Sequence, residues 1–179
     1  MENKTLFNKD TKGCLQETVI LKPITLFAYK MEMHIPVEMD SMSQDNVDVF
    51  YPYENRPAYI FSDMQCKRQL TFQLFSGSFT EDMYFETVKS VYGMVEKQFP
   101  YEWMSPLHLF CDKQIPIIWF LMNITNCKCI KRHIKYLTLI GDQIVLGTMT
   151  YPMEEFNKWQ PVIKKMFSTL RIGNENEKN

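Results

Sequence analysis

Apolar positions recur along this chain with two different periods, and their order sets the expected architecture. From Thr25 to Ile35, Phe27, Tyr29, Met31, Met33 and Ile35 share one parity, while Ala28, Lys30, Glu32 and His34 share the other. A period of two predicts a strand with one buried and one wetter face. Pro36 closes it, and Thr18 to Leu21 reads as a shorter strand before it. Residues 37–57 are rich in Asp, Ser, Asn and Pro and read as a long irregular connection, with a short strand at Val49 to Tyr51. Ala58 to Ser62 and Leu70 to Phe75 are the next strands. In the second, Leu70, Phe72 and Leu74 oppose Gln69, Thr71 and Gln73.

After Thr80 the period becomes helical. Tyr84, Phe85, Val88, Val91, Tyr92, Val95 and Phe99 form an apolar stripe. Thr80 is placed to cap the helix, Glu81 and Asp82 complement its positive end, and Pro100 stops it. From Leu107 to Met149 the pattern predicts four antiparallel strands. Leu107 to Cys111 comes first, then Ile115 to Asn123, whose nearly continuous apolar run predicts cover on both faces. Ile134 to Ile140 and Gln143 to Met149 flank Gly141-Asp142, a hairpin signal. A final helix is expected from Glu154 to Thr169, with Pro161 forcing either a start near Trp159 or a kink, and Leu170 to Ile172 extends as a short strand.

The expected fold is therefore α+β: an antiparallel sheet of about six to seven strands covered by two main helices. It forms a single domain over residues 17–172, with a loose arm at 1–16 and a solvated tail at 173–179.

Composition narrows the function classes. Of 179 residues, 45% are apolar and 23% charged, which suits a packed core rather than disorder. The net charge of -1 supplies no surplus of cations to neutralise phosphates, so nucleic acid is not an expected partner. No apolar signal region opens the chain, and the longest apolar run, Ile115 to Met122, is too short to span a bilayer. The expectation is a soluble cytoplasmic protein whose five cysteines are free thiols. The 13 methionines and 14% aromatics supply core, and also suit an adaptable binding surface.

Candidate chemistry is sparse. Cys127, Cys129 and His133 are the best metal candidates, because two thiolates and an imidazole suit zinc; a single Cys-x-Cys pair also fits a plain connecting loop. His108 and Cys111 lie three apart on a predicted strand and so on opposite faces, which argues against a dyad. Cys111 could meet His34 or His133 only through the tertiary fold. Lys30, Glu32 and His34 form a polar row that suits either a ligand or surface ion pairs. Lys128, Lys131, Arg132, His133 and Lys135 cluster near one expected loop, as a patch for an acidic partner or as a solvated turn. Tyr51, Tyr53, Tyr101 and Trp103 fall in expected loops, either as partner-binding anchors or as plugs at the sheet ends. Glu81-Asp82 and Glu154-Glu155 complement helix starts. No Gly-rich phosphate loop, G-x-S-x-G or H-E-x-x-H pattern occurs.

Three stretches together carry a resemblance. Met33-His34-Ile35-Pro36 is followed by an acidic, Ser-rich gap, then Tyr51-Pro52 and Pro57-Ala58-Tyr59-Ile60-Phe61. A helix separates the early strands from a late meander. Trp159-Gln160-Pro161-Val162-Ile163 and Ser168-Thr169-Leu170-Arg171-Ile172 close the chain. Over roughly residues 17–172 this resembles the PsbP-like superfamily, which also holds the yeast Ran-release factor and bacterial DcrB-like proteins. Family members often carry a Trp shortly after the first Pro, where Val37-Glu38-Met39 stands here. The resemblance implies an α/β/α sandwich and an accessory or binding role rather than catalysis. Some bacterial relatives act as chaperones for hydrophobic segments of secreted effectors.

The expected function is a non-enzymatic binding or accessory domain without a cofactor, an adaptor or chaperone that holds a hydrophobic segment of another protein. The alternatives are an enzyme whose site assembles in space around Cys111, Cys129 or a histidine, and a metal or small-ligand carrier built on the 127–133 loop.

Overall fold

Where the alternation from Thr25 to Ile35 predicts one strand, the chain makes a hairpin instead. The computed structural model, which describes residues 19–112, 115–126 and 129–173, pairs β1 (Leu21–Leu26) with β2 (Met31–Pro36) antiparallel, Leu26 opposite Met31. Phe27, Ala28 and Tyr29 reverse the chain at φ values of 54°, 53° and 69°. Left-handed backbone costs an L-residue about 1–2 kcal/mol, so the one local bond, from the Lys30 amide to the Phe27 carbonyl at 3.2 Å, is reinforced by tertiary contacts. The Phe27 amide donates to the Tyr59 hydroxyl at 3.0 Å, the two rings meet edge-on at 5.1 Å, and the Gly173 amide donates to the Lys30 carbonyl at 3.0 Å. Parity continued through the reversal, and no glycine, proline or asparagine marked it.

The expected irregular stretch 37–57 also holds more order. It contains β3 (Asp40–Ser41) and a short helix, α1 (Gln44–Phe50), where a strand at Val49 to Tyr51 was expected. The Gln44 amide donates to Asp48 at 2.9 Å, one helical turn on, and Asp48 also accepts from Arg56 at 2.7 Å. No residue of α1 is fully buried, so apolar periodicity could not announce it.

The rest of the chain follows its patterns closely. β4 (Tyr59–Ser62) and β5 (Gln69–Leu74) lead to α2 (Glu81–Gln98), capped by Thr80, whose hydroxyl accepts from the Met83 amide. Then come β6 (Trp103–Met104), β7 (His108–Asp112), β8 (Ile115–Asn126), β9 (Cys129–Ile140) and β10 (Gln143–Pro152). A single 3-10 turn, Met153–Glu155, opens into α3 (Phe156–Ser168), which runs through the exposed Pro161 before β11 (Arg171–Ile172).

Two antiparallel sheets result. The small one has the order β1-β2-β11. The main one has eight strands in the order β3-β4-β5-β10-β9-β8-β6, with β7 also pairing to β8. Among the described residues the expected sheet of about six to seven strands has eight, with a three-stranded sheet beside it, and the two main helices, α2 and α3, are joined by the short α1. The strands not expected, β3 and β6, have two residues each, too short to show alternation, while β11 lies within the short strand expected at Leu170 to Ile172. β8 explains its own apolar run by facing two cores. Ile118, Phe120 and Met122 pack with Tyr84, Val88, Val91 and Val95 of α2. Ile117 lies in the opposite core, among Trp159, Ile163, Met166 and Phe167 of α3 and Met31, Met33 and Ile35 of the small sheet. Burying each such side chain stabilises the fold by about 1.5–3 kcal/mol, so both helices hold to the sheet through packing more than propensity.

One polar clasp ties the two ends of this second core. In the turn after β4, Asp63 accepts from the Lys67 and Arg68 amides at 2.8 and 3.1 Å. Arg68 reaches Asp63 at 2.8 Å and grips Glu155 with two bonds of 2.7 and 2.5 Å. Glu155 also accepts from the indole of the fully buried Trp159 at 2.7 Å. No helix among the described residues is long and apolar enough to cross a membrane.

Candidate binding groove on the open half of the sheet

α2 covers only part of its sheet face. Beyond its end, the same face of β5, β9 and β10 floors an open groove of about 1120 Å³. Strand alternation delivers three parallel rows to that floor: Gln69, Thr71 and Gln73 from β5, Leu146, Thr148 and Thr150 from β10, and Lys131, His133 and Lys135 from β9. Phe50 and Tyr51, at the end of α1, form one wall, and Phe99, at the end of α2, forms another. Val49, Phe50, Tyr53 and Phe99 leave substantial apolar surface in solvent, with Val49 72% and Tyr53 73% exposed.

The floor groups are held by their neighbours. Lys135 Nζ lies 3.3 Å from the Thr148 hydroxyl and 5.6 Å from the centre of the Phe99 ring. Burial draws its pKa down to about 8, because the charged ammonium loses hydration there. His133 Nδ1 lies 3.1 Å from the Thr150 hydroxyl. Burial, then the charges of Lys135 and Lys131, push its pKa down to about 3, so the ring is neutral at physiological pH. The Tyr51 hydroxyl donates to Gln69 Oε1 at 2.9 Å, and Gln69 donates on to the Cys66 carbonyl at 3.1 Å. Burial, with a smaller contribution from Cys66, pushes the Tyr51 phenol up to about 12. Arg56 lines the groove but is engaged by Asp48. The arrangement offers cation, amide and hydroxyl groups beside aromatic walls.

The basic cluster of the sequence divides between two faces. The expected loop from 124 to 133 is largely strand, because β8 runs to Asn126 and β9 starts at Cys129. Period two then sends Lys131, His133 and Lys135 to the groove, while Arg132 is buried against the opposite core at 6% exposure. Lys128 and Cys127 lie outside the described residues, as does the side chain of Cys129. Cys129 and His133 are four residues apart on one strand, about 13 Å at the rise of an extended chain. Among the described residues no group of three or more His, Cys, Asp and Glu side chains converges on a point.

The four loop aromatics do not form one surface. Tyr51 lines the groove and Tyr53 stands exposed just beyond it. Tyr101 packs against the core beneath α2. Trp103, on edge strand β6, receives the Arg132 guanidinium 5.2 Å from its ring centre. His108 stacks on Trp119 with ring centres 4.6 Å apart, while Cys111 is exposed on the same edge strand. Glu32 Oε1 and His34 Nε2 lie 4.0 Å apart. The polar rows of β5 and β10 had no place among the sequence candidates. The signal was present in Gln69, Thr71 and Gln73, which share one face, but only the pairing of β5 with β10 brings that face beside Lys135.

No protein-family model matches the sequence, and a search of the curated proteins finds no match. Solved structures do match. Cyanobacterial PsbP (CyanoP) from Synechocystis sp. PCC 6803 has a TM-score of 0.58 at 8% identity, covering 91% of this chain and 98% of that one. LpqN, involved in cell envelope biogenesis of Mycobacterium tuberculosis, has 0.58 at 6% identity, with coverage of 87% and 92%. The Ran-binding protein Mog1p of Saccharomyces cerevisiae has 0.53 at 8% identity, with coverage of 87% and 96%. The chain therefore has the PsbP-like fold expected from its sequence, with a small second sheet beside the main one.

Proposed function

We propose that this protein is a non-enzymatic binding domain whose groove holds a segment of a partner protein, one that presents a carboxylate next to apolar side chains. The observation that carries this reading is Lys135. It sits in the groove floor with no carboxylate paired to it among the described residues, and at a pKa of about 8 it is still mostly protonated at neutral pH. A partly desolvated cation beside an aromatic wall is a costly arrangement for a free surface and a favourable one for capturing an anion. The exposed Val49, Phe50, Tyr53 and Phe99 supply apolar contact around it. An adaptor or chaperone for a hydrophobic segment is the finer form of the same reading.

Two further points support binding over catalysis. His133 is the imidazole of the groove, and a base with a pKa near 3 has little driving force to take a proton at neutral pH. Mog1p, which shares the fold, is described as Ran-binding; a shared fold does not transfer a partner, but it shows the scaffold in use for protein recognition.

The test is site-specific photo-crosslinking in cells of the source organism. A benzophenone amino acid is placed at Gln73, in the groove, and in a control at Lys89, on the exposed side of α2. The expected result is a discrete polypeptide adduct at Gln73 that is absent at Lys89 and lost when Lys135→Glu is added. No adduct at Gln73, or equal labelling at both positions, refutes the reading.

A further inference from the structure

The main sheet ends on an open strand. Among the described residues β7 pairs with β8 on one side and with no strand on the other. Its free backbone groups belong to alternate residues. The Ser105 amide donates to the Leu121 carbonyl at 2.9 Å and the Glu102 amide to the Asn123 carbonyl at 3.0 Å, so the odd-numbered residues of β8 turn their backbone groups toward β6 and β7. The carbonyl of Pro116, of the other parity, instead accepts from the Thr138 hydroxyl of β9 at 3.2 Å. In the register of β7 on β8, the hydrogen-bonded pairs are then His108 with Trp119, Phe110 with Ile117 and Asp112 with Ile115. Leu109 and Cys111 fall between them and point their N–H and C=O groups away from the sheet.

Open backbone groups invite another strand, so folded proteins shorten their sheet edges or place lysine or proline on them. The other edges follow that rule among the described residues. β3, β6 and β11 have two residues each, and β1 carries Lys22 and Pro23. β7 is not guarded in this way. Its five residues, His108-Leu109-Phe110-Cys111-Asp112, include neither lysine nor proline. Cys111 is exposed, and Leu109 leaves 63% of its surface in solvent.

We propose that β7 is a self-pairing edge, which joins two copies of this chain antiparallel about a two-fold axis at Phe110 so that their main sheets run on as one. The strand itself selects this occupant and this register. With Phe110 on the axis, Leu109 faces Cys111 of the second copy and Cys111 faces its Leu109, so the open N–H and C=O groups of both strands find partners. His108 then faces Asp112 of the second copy, and Asp112 faces its His108. This sets an imidazole N–H against a carboxylate on the sheet face that carries Phe110. Centring the pair on Leu109 or on Cys111 would place Asp112 opposite Pro106 or Phe110 instead and lose that contact. A strand from another protein would have to bring these complements with it, whereas β7 carries them. The contact lies at the sheet edge and does not depend on the function proposed for the groove.

The test is sedimentation velocity of the full chain under reducing conditions from about 1 to about 500 μM, the range in which small interfaces associate. A concentration-dependent dimer is expected. Leu109→Lys changes a side chain that lies mostly in solvent, so it is expected to keep the wild-type circular dichroism while weakening the dimer about tenfold or more. Leu109→Cys reads the register. Residues opposite each other in a hydrogen-bonded antiparallel pair have Cα atoms about 5.5 Å apart, within the span of a disulfide. On mild oxidation this variant is expected to form a covalent dimer beyond the wild-type level, and adding Cys111→Ser is expected to return it to that level. A chain that stays monomeric throughout, a dimer that Leu109→Lys leaves intact, or a cross-link that fails to form or survives Cys111→Ser overturns the proposal. The first of these results would give the edge to a strand of a different protein or to solvent.

Discussion

Substituting Glu155 with glutamine tests whether the Arg68 clasp secures α3 to the sheet. The variant keeps the shape of the side chain and, with its oxygen in the place of Oε2, the bonds from the Trp159 indole and Arg68 Nε, but it removes the charge and sets an NH2 donor against Arg68 Nη2. Each charge-assisted bond is worth about 1.5–3 kcal/mol, and stripping the partner from a buried ion costs about 3–5 kcal/mol. The clasp falls short of that upper figure for two reasons. Both side chains remain 23% exposed, so water screens part of the loss, and Arg68 keeps Asp63 at 2.8 Å. The expected cost of Glu155→Gln is therefore about 2–3 kcal/mol at pH 7, or about 4–12 °C in melting temperature for a chain of this size. The acid dependence follows from the same contacts. The hydrogen bond from Arg68, with smaller help from Trp159 and the nearby charges, holds the Glu155 carboxyl below its ordinary value of 4.5. Its stabilisation is thus fully present above the unfolded value and is lost as pH falls through the lower folded one. Urea unfolding at pH 7 and at pH 3 reads both effects. The deficit of the variant should be largest at pH 7 and smaller at pH 3, below the ordinary value of 4.5 at which the unfolded carboxyl takes up its proton. A deficit under 1 kcal/mol at pH 7, or one that does not change with pH, would refute the reasoning.

Other substitutions probe separate features. A methyl group at Gly147 would fall 2.0 Å from Cζ of the buried Tyr136 ring, so Gly147→Ala should cost about 2–4 kcal/mol in urea unfolding, and adding Tyr136→Leu should recover part of it. Ala28 is exposed at φ 53°, so Ala28→Gly should stabilise by about 0.5–1 kcal/mol by thermal melting; an unchanged or lower melting temperature would contradict the left-handed turn. Lys135 carries a depressed pKa of about 8, so at neutral pH the folded state bears a charge it holds poorly. Lys135→Met should then stabilise by about 1–3 kcal/mol at pH 7, with the gain fading between about pH 8 and pH 10.5 as the lysine loses its proton in the folded and then in the unfolded chain. A gain that is absent at pH 7, or constant with pH, would show that burial does not depress this lysine.

The candidate sites were legible in parts and not as wholes. The basic residues at 131, 132, 133 and 135 stood out in the sequence, yet what they do depends on a phase. Once β9 begins at Cys129, Arg132 is turned inward while its odd-numbered neighbours face the groove. The same holds for Asn123 and Tyr151, unremarkable in the sequence and aligned with Arg132 only by the registers of two strand pairs.

What the sequence determined alone was each element whose structure follows from its own residues. The stripe of α2 and its Thr80 cap, the doubly apolar β8 and the Gly141-Asp142 hairpin are all of this kind. Periodicity records which side of an element avoids water, and that preference is local. The left-handed turn at 27–29, helix α1, the groove beyond the end of α2 and the alignment of Asn123, Arg132 and Tyr151 across three strands were decided by tertiary structure. Each depends on groups far apart in the chain, or on surface that no element covers, and a one-dimensional pattern carries neither the pairing of strands nor the extent of their cover.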